Sequence, residues 1–291
     1  MPAATLAANP WGAGYADATA AAGRPPPWPP AGFPPLAPGA QAVLLLPLDG
    51  TVDDWLAPAL AVLAPDERTR LGRFAFVRDA RQYAAARVLL RHALGHYLGC
   101  DAAQVALHQD GAGKPYVGDG AGIDVSISHC DGCVAIGLAR GGRIGIDVES
   151  LERQHADYLT LARQFYAPSE YEALRAAAAG QGAVRFVEAW TLKEAYVKAL
   201  GVGLGKSLDE CVFTFDAGAG LGFRDSAARG AHDGDWRFRL YAALGTYRLA
   251  IATEAPALDG GPGLHVGVVT GAAGAELRLL RSGRAAGQVQ P

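Results

Sequence analysis

Gly145-Ile146-Asp147-Val148-Glu149 and, further along, Trp190-Thr191-Leu192-Lys193-Glu194-Ala195-Tyr196-Val197-Lys198 are the stretches on which the reading of this chain turns. The first alternates with the period of a strand. Asp147 and Glu149 therefore share one face, while Ile146 and Val148 take the other. The second has helical spacing: Trp190, Glu194 and Lys198 recur every fourth residue on one side of a helix that Gly201 ends. Two carboxylates that close raise one another's pKa unless a cation lies between them. Three carboxylates with lysines beside them suit a hard divalent cation and a polyphosphate, the chemistry of phosphoryl or phosphodiester transfer. The plainer alternatives are a solvated strand end and an i, i+4 Glu–Lys pair worth about 0.3–0.5 kcal/mol. That pair leaves unexplained why Lys193, Glu194 and Lys198 cluster beside a tryptophan on an otherwise apolar helix.

Outward from these stretches the pattern is mixed. Residues 43–46 are a buried-strand run, 52–63 and 66–72 have helical spacing, and 78–98 form a long Ala- and Leu-rich helix. Short strands are predicted at 105–108, 116–117, 124–128, 134–138 and 144–148, separated by Gly-rich turns. Helices follow near 156–165, from Pro168 (with Ser169 and Glu172 at capping-box spacing) and over 184–200. Strands at 211–215, 236–244 and 247–252 come last. This is an α+β pattern of two lobes, 41–141 and 142–256. Residues 1–40, with Pro25-Pro26-Pro27-Trp28-Pro29-Pro30, read as a disordered or extended tail, and 257–291 as a mostly irregular extension with a short strand at 265–269.

Composition removes several function classes. A net charge of -3 gives no general argument for nucleic acid or an anionic surface. No apolar run reaches the ~20 residues of a spanning helix, and no secretion signal is visible at the N-terminus. Four cysteines in 291 residues do not make a disulfide framework, so a cytoplasmic setting is expected. Of 26 basic residues only Lys114, Lys193, Lys198 and Lys206 are lysines. A lysine kept against such a bias does something that arginine does not.

Two further segments carry polar chemistry. Gly113-Lys114-Pro115 presents a lysine at a turn, and Ser126-Ile127-Ser128-His129 ends a strand with a hydroxyl beside an imidazole. Adjacent Ser and His do not make a nucleophile and base, which meet through space, and no G-x-S-x-G elbow is present. Phosphate binding suits Ser128 and His129 better.

The ordered set Gly113-Lys114-Pro115, Ser128-His129, Gly145-Ile146-Asp147-Val148-Glu149 and Trp190-x-x-Lys193-Glu194-Ala195-x-x-Lys198 resembles the 4'-phosphopantetheinyl transferases of the broad-specificity, surfactin-synthetase-activating type, across residues 41–256. The resemblance implies a pseudo-dimer of two similar α/β lobes with coenzyme A in the cleft between them. It implies transfer of the phosphopantetheine arm to a serine of an acyl or peptidyl carrier protein, with release of adenosine 3',5'-bisphosphate. It further implies Mg²⁺ on Asp147, Glu149 and Glu194, and Lys198 neutralising the pyrophosphate. Lys114, Pro115, Ser128 and His129 would line the adenosine and 3'-phosphate end, with Lys193 also on the coenzyme A side. Glu194 or a metal-bound water would act as the base. The carrier's pathway, polyketide, nonribosomal peptide or fatty acid, stays open, and a monomer without nucleic-acid or membrane partners is expected. The pattern departs at Glu67-Arg68-Thr69-Arg70, where family members often carry lysines for the 3'-phosphate. Arg70 is the expected substitute, with Arg87 as a second cation. Ser126 stands where asparagine is usual.

Two other classes compete with this reading. A Mg²⁺-dependent phosphodiesterase or nuclease could use the same carboxylates, but the arginines at 68–91 are opposed by Asp66, Glu67 and Asp79. A non-catalytic protein that binds coenzyme A or a carrier would not need the carboxylates and both lysines intact. Gly201–Ser207 lacks the preceding strand of a phosphate loop, Cys130 and Cys133 lack a second pair for zinc, and His92 and His96 lack the glutamate of a zinc protease.

Overall fold

The computed structural model describes residues 34–118, 120–152, 157–178, 180–216, 218, 220–227, 235–254, 263–269 and 277–285. The apolar run 41–47 forms strand β1 (Gln41–Pro47). Helices α1 (Thr51–Ala59), α2 (Pro65–Leu71) and α3 (Val77–Leu98) follow, then β2 (Leu107–Gln109), β3 (Pro115–Val117), β4 (Ile123–Cys130) and β5 (Cys133–Arg140). Next come β6 (Ile144–Ser150), α4 (Tyr158–Phe165), α5 (Pro168–Arg175) and α6 (Gln181–Leu200). The described chain ends with β7 (Cys211–Phe215), β8 (Gly220–Asp225), β9 (Trp236–Ala243), β10 (Tyr247–Glu254), β11 (Leu264–Val268) and β12 (Leu277–Ala285).

Two six-stranded sheets result, ordered β11-β1-β5-β4-β3-β2 and β6-β10-β9-β12-β8-β7. Period-two alternation divides each strand between two cores. Leu44 and Leu46 of β1 and Val134 and Ile136 of β5 face the Ala84, Val88 and Leu94 side of α3. Val43, Leu45 and Ala135 point the other way and meet Ile144, Ile146 and Val148 of β6 and Leu249 and Ile251 of β10. Beyond the second sheet, Leu192, Ala195, Tyr196 and Ala199 of α6 pack on Phe213, Phe238 and Ala250. The order through the molecule is helix, sheet, sheet, helix, an α+β fold in which each lobe lays one long helix on the outer face of its own sheet. Full burial of a leucine-sized side chain is worth about 1.5–3 kcal/mol, so the sheet-to-sheet core binds the lobes firmly.

The seam between the sheets also meets a backbone requirement. β6 is an edge strand, and its outward N–H groups need acceptors. β4 supplies them from side chains at period two. Asp124 Oδ2 accepts from Ile144 N at 2.7 Å, Ser126 Oγ from Ile146 N at 3.1 Å, and Ser128 Oγ from Val148 N at 3.2 Å. The serine at 126 thus has a definite duty: it satisfies the middle donor of the row.

Some expectations are corrected. Residues 1–33 of the expected tail lie outside the described residues, but Leu36 is buried in the first core and its carbonyl accepts from Arg140, so residues 34–40 belong to the fold. Beyond 257, β11 joins β1 in parallel and β12 inserts between β9 and β8, so a good part of this extension is regular structure. Backbone pairing on both sides holds β12 in place of an apolar alternation. The cap of α5 is Glu170, whose Oε2 accepts from Ala167 N at 3.1 Å, and not the Ser169–Glu172 pair. Among the described residues no helix is long and apolar enough to cross a membrane.

Candidate active site

β6 brings Asp147 and Glu149 to the face that meets α6, because Gly145, two residues earlier, touches that helix directly. A Cβ at Gly145 would stand 1.9 Å from Ala195 O and 2.3 Å from Ala199 N, so only glycine lets strand and helix approach this closely. Asp147 is 4% exposed. Its Oδ1 accepts from Lys198 Nζ at 2.6 Å and from Ser128 Oγ at 2.7 Å, and Lys198 also donates to Ser128 Oγ at 2.9 Å. β4, β6 and α6 thus contribute one residue each to a closed triangle. Asp147 Oδ2 is buried without a hydrogen-bond partner. A buried carboxylate oxygen left in this way is costly unless another ligand completes it.

Glu194 stands half-buried on the same side of α6. Burial raises its pKa, the Asp147 carboxylate raises it further, and Lys198 opposes both. The Asp147 carboxylate thus opposes the charge on Glu194, as expected where a cation belongs. His129 is at the exposed end of β4, its pKa lowered first by desolvation and then by the Lys198 ammonium. Among the described residues no three His, Cys, Asp or Glu side chains converge closely enough to hold a cation alone. The donor set nonetheless fits Mg²⁺, which commonly takes one or two carboxylates and completes its shell with water and substrate phosphates. The orphan Oδ2 of Asp147 is the atom that fits.

Other residues singled out from the sequence lie elsewhere. Lys193 is fully buried on another side of α6. Its Nζ donates to Glu170 Oε2 at 2.7 Å and to the carbonyls of Leu208 and Cys211. Adjacent helical residues point about 100° apart, so Lys193 braces α5 and β7 while Glu194 faces Asp147. Lys114 Nζ donates to Asp124 Oδ2 at 2.8 Å and to Ala199 O at 3.4 Å, closing the seam between β4 and the end of α6. Pro115 is buried at the start of β3. Arg87 is 7% exposed, 3.7 Å from Glu67 and over the Tyr83 ring, so it too is committed within the fold. Glu67 is a structural carboxylate held by Arg91 at 2.6 Å. Arg70 is exposed, donates to Gln109, and with Thr69, Arg73 and Phe74 lines an open hollow.

The same sequence matches known families along most of its folded length. A model described as the 4'-phosphopantetheinyl transferase superfamily matches residues 143–252, and one described as 4'-phosphopantetheinyl transferase, N-terminal, matches 50–139. The 4'-phosphopantetheinyl transferase HetI of Nostoc sp. is 38% identical over 164 residues, covering 55% of this chain and 68% of that one. A phosphopantetheinyl transferase of Thraustochytrium sp. is 33% identical over 212 residues, covering 69% and 73%. The chain belongs to the 4'-phosphopantetheinyl transferase superfamily. The transferase psf-1 of Bacillus pumilus is also similar, 27% identical over 222 residues, covering 74% of this chain and 90% of that one.

Within this transferase the two family matches meet at the sheet-to-sheet seam, and the Asp147, Ser128 and Lys198 triangle spans that junction. Sequence reasoning overlooked Asp124 and Ser126 as acceptors for β6 and Glu170 as the partner of Lys193. Polar residues at period two through the buried strand β4 were the available signal for the first pair. Cys130 and Cys133 face one another across the Asp131-Gly132 turn, and all four cysteines are free thiols.

Proposed function

We propose that this transferase moves the 4'-phosphopantetheine arm of coenzyme A onto a serine hydroxyl of an apo carrier protein in a Mg²⁺-dependent reaction. The serine oxygen forms a bond to the phosphorus nearer the pantetheine. That phosphorus loses its bond to the bridging pyrophosphate oxygen, which leaves as part of adenosine 3',5'-bisphosphate. Asp147, Glu149 and Glu194 would hold the Mg²⁺, which neutralises pyrophosphate charge when bound. Lys198, on the far side of Asp147 Oδ1, supplies a second fixed positive charge for the leaving oxygen. Glu194 or a water bound to the cation would take the serine proton. Ser128 and His129 would approach the phosphates from β4, and Arg70 would serve the 3'-phosphate with Arg73 beside it.

The observation that carries this reading is the buried Asp147 carboxylate, with one oxygen on Lys198 and Ser128 and the other without a partner. The match to psf-1 over 90% of that protein supports the transferase reading along most of its length. Free thiols on all four cysteines support a reducing, cytoplasmic setting. Incubation with coenzyme A, Mg²⁺ and apo acyl or peptidyl carriers, followed by intact-mass spectrometry, tests the reading. The carrier should gain one phosphopantetheine arm, and EDTA should prevent it. Retained coenzyme A binding with no gain on any carrier would favour a non-catalytic role.

A further inference from the structure

α6 turns Arg185, Ala189 and Lys193, every fourth residue, to a face about 100° round from Glu194. Against that face α5, α6 and β7 enclose a hollow of about 330 Å³, within the size range of small-molecule sites. Leu174, Ala177, Ala189, Phe213 and Phe215 give it apolar walls, and Arg185 stands in its lining. Two buried polar groups there are already satisfied. Glu170 accepts from Lys193 at 2.7 Å and from Phe213 N at 2.9 Å, and the Tyr166 hydroxyl donates to Phe186 O at 2.7 Å. Backbone and charge converge instead at Phe215. N–H directions alternate along a strand: Phe213 N–H points out to Glu170, and Asp216 N–H points back to Gly220 O. The Phe215 N–H therefore points outward along the edge of β7, and among the described residues nothing accepts from it. The guanidiniums of Arg185 and Arg281 lie 5.0 and 5.2 Å from the centroid of the Phe215 ring. Glu188 accepts from Arg185 at 3.1 Å but is shared with Arg248. Desolvation and then the Arg185 charge lower the Arg281 pKa, with Glu188 and Asp216 opposing, so two cations press together at this rim.

We propose that this hollow binds a medium-chain aliphatic carboxylate, its chain between α5, α6 and β7 and its carboxylate on the Phe215 N–H and the Arg185 guanidinium. The inference goes beyond carrier modification and does not depend on it. The apolar walls favour an alkyl chain, and they offer no free buried partner to a sugar or a nucleobase, whose polar groups would lose water without replacement. The rim combines one amide donor with positive charge, which suits a single anionic end and disfavours a cation. The volume takes one short chain and not the two tails of a membrane lipid.

The test is titration of the full chain with sodium octanoate, read by calorimetry and by the amide nitrogen–proton correlation spectrum. Octanoate should bind saturably at one site and shift the Phe215 amide resonance. Octanol keeps the chain and loses the charge, so it should bind at least about tenfold more weakly, the cost of one charge-assisted hydrogen bond. Arg185→Gln should weaken octanoate binding by about tenfold and leave octanol binding unchanged. Ala173 lines the hollow from the exposed side of α5, so Ala173→Phe fills it without disturbing the core and should remove the binding of both probes. A parent chain that does not bind octanoate saturably overturns the proposal. So does parental octanoate affinity in Ala173→Phe, which would place the site elsewhere, or in Arg185→Gln. If Arg185→Gln does not fold, the octanol comparison decides: equal affinities for octanol and octanoate refute the carboxylate contact.

Discussion

Gly145→Ala adds one methyl group at the point where β6 touches α6. The new Cβ would lie 1.9 Å from Ala195 O and 2.3 Å from Ala199 N, against the 3.0 Å that real Cβ atoms respect, so strand and helix must part by about 1.1 Å. Both obstacles are backbone atoms, so no rotamer change relieves the clash. Overpacking of this kind costs about 1–3 kcal/mol and sometimes more, and a buried strand under a helix belongs at the upper end. At about 2–4 °C per kcal/mol for a chain of this size, Tm should fall by roughly 6–12 °C. The displacement also separates Asp147 and Glu149 from Glu194 and Lys198. Misplacement of reacting groups by about 1 Å costs about 100-fold, so kcat/KM for carrier modification should drop at least that far. Differential scanning calorimetry and a carrier-loading time course measure the two effects. A Gly145→Ala variant with Tm within 2 °C of the parent and unchanged kcat/KM, by the same scale, would refute the close-approach argument.

The remaining expectations follow from other contacts. Asp147→Asn keeps the shape but not the charge that Lys198 and the cation need; transfer should fall by more than about 1,000-fold while coenzyme A binding persists, measured by carrier mass and calorimetric titration. Lys193→Met leaves Glu170 buried without its cation at a cost of about 3–5 kcal/mol, read from the urea midpoint; loss of transfer with an unchanged midpoint would return Lys193 to the chemistry. Burial lowers the His92 pKa from 6.5, with Asp101 opposing, and its Nε2 is buried without a partner. The unfolded chain then takes the proton first as pH falls, so stability held above about pH 6.5 drains away below it; His92→Gln should flatten the decline in Tm between pH 7.5 and 5. Deleting residues 277–285 removes an interior strand of the second sheet, and circular dichroism should show loss of the cooperative transition rather than a small shift.

Much of this architecture is legible in the sequence where one physical rule dominates locally. β4 and β6 alternate and β5 is an unbroken apolar run, all set off by Gly-containing turns, and α6 ends at Gly201 with φ 70°. Asp147, Glu194 and Lys198 also come together as periodicity requires, on facing sides of a strand and a helix. The rest depends on partners distant in the chain. Lys193 sits beside Glu194 in sequence, but a 100° turn and the remote carbonyl of Cys211 decide its role. Glu67 looks like an intruder in a phosphate-binding segment until Arg91, two helices' packing away, claims it. β12, with Arg278, Arg281 and Arg284, has none of the apolar alternation of an interior strand; its place is fixed by ladders from β9 and β8.

The position of β12 has a consequence for how the molecule is made. β1 waits for β11 as its parallel neighbour, about 220 residues later, and the second sheet remains two separate ribbons until residues 277–285 arrive between them. At roughly 5–20 residues per second of synthesis, β1 spends about 10–45 s without that neighbour. During that interval the outer edge of β1 is available to other chains, and the edges of β8 and β9 stay open until β12 is made. Expression yield should therefore respond to temperature and chaperone supply more than the finished protein's stability suggests.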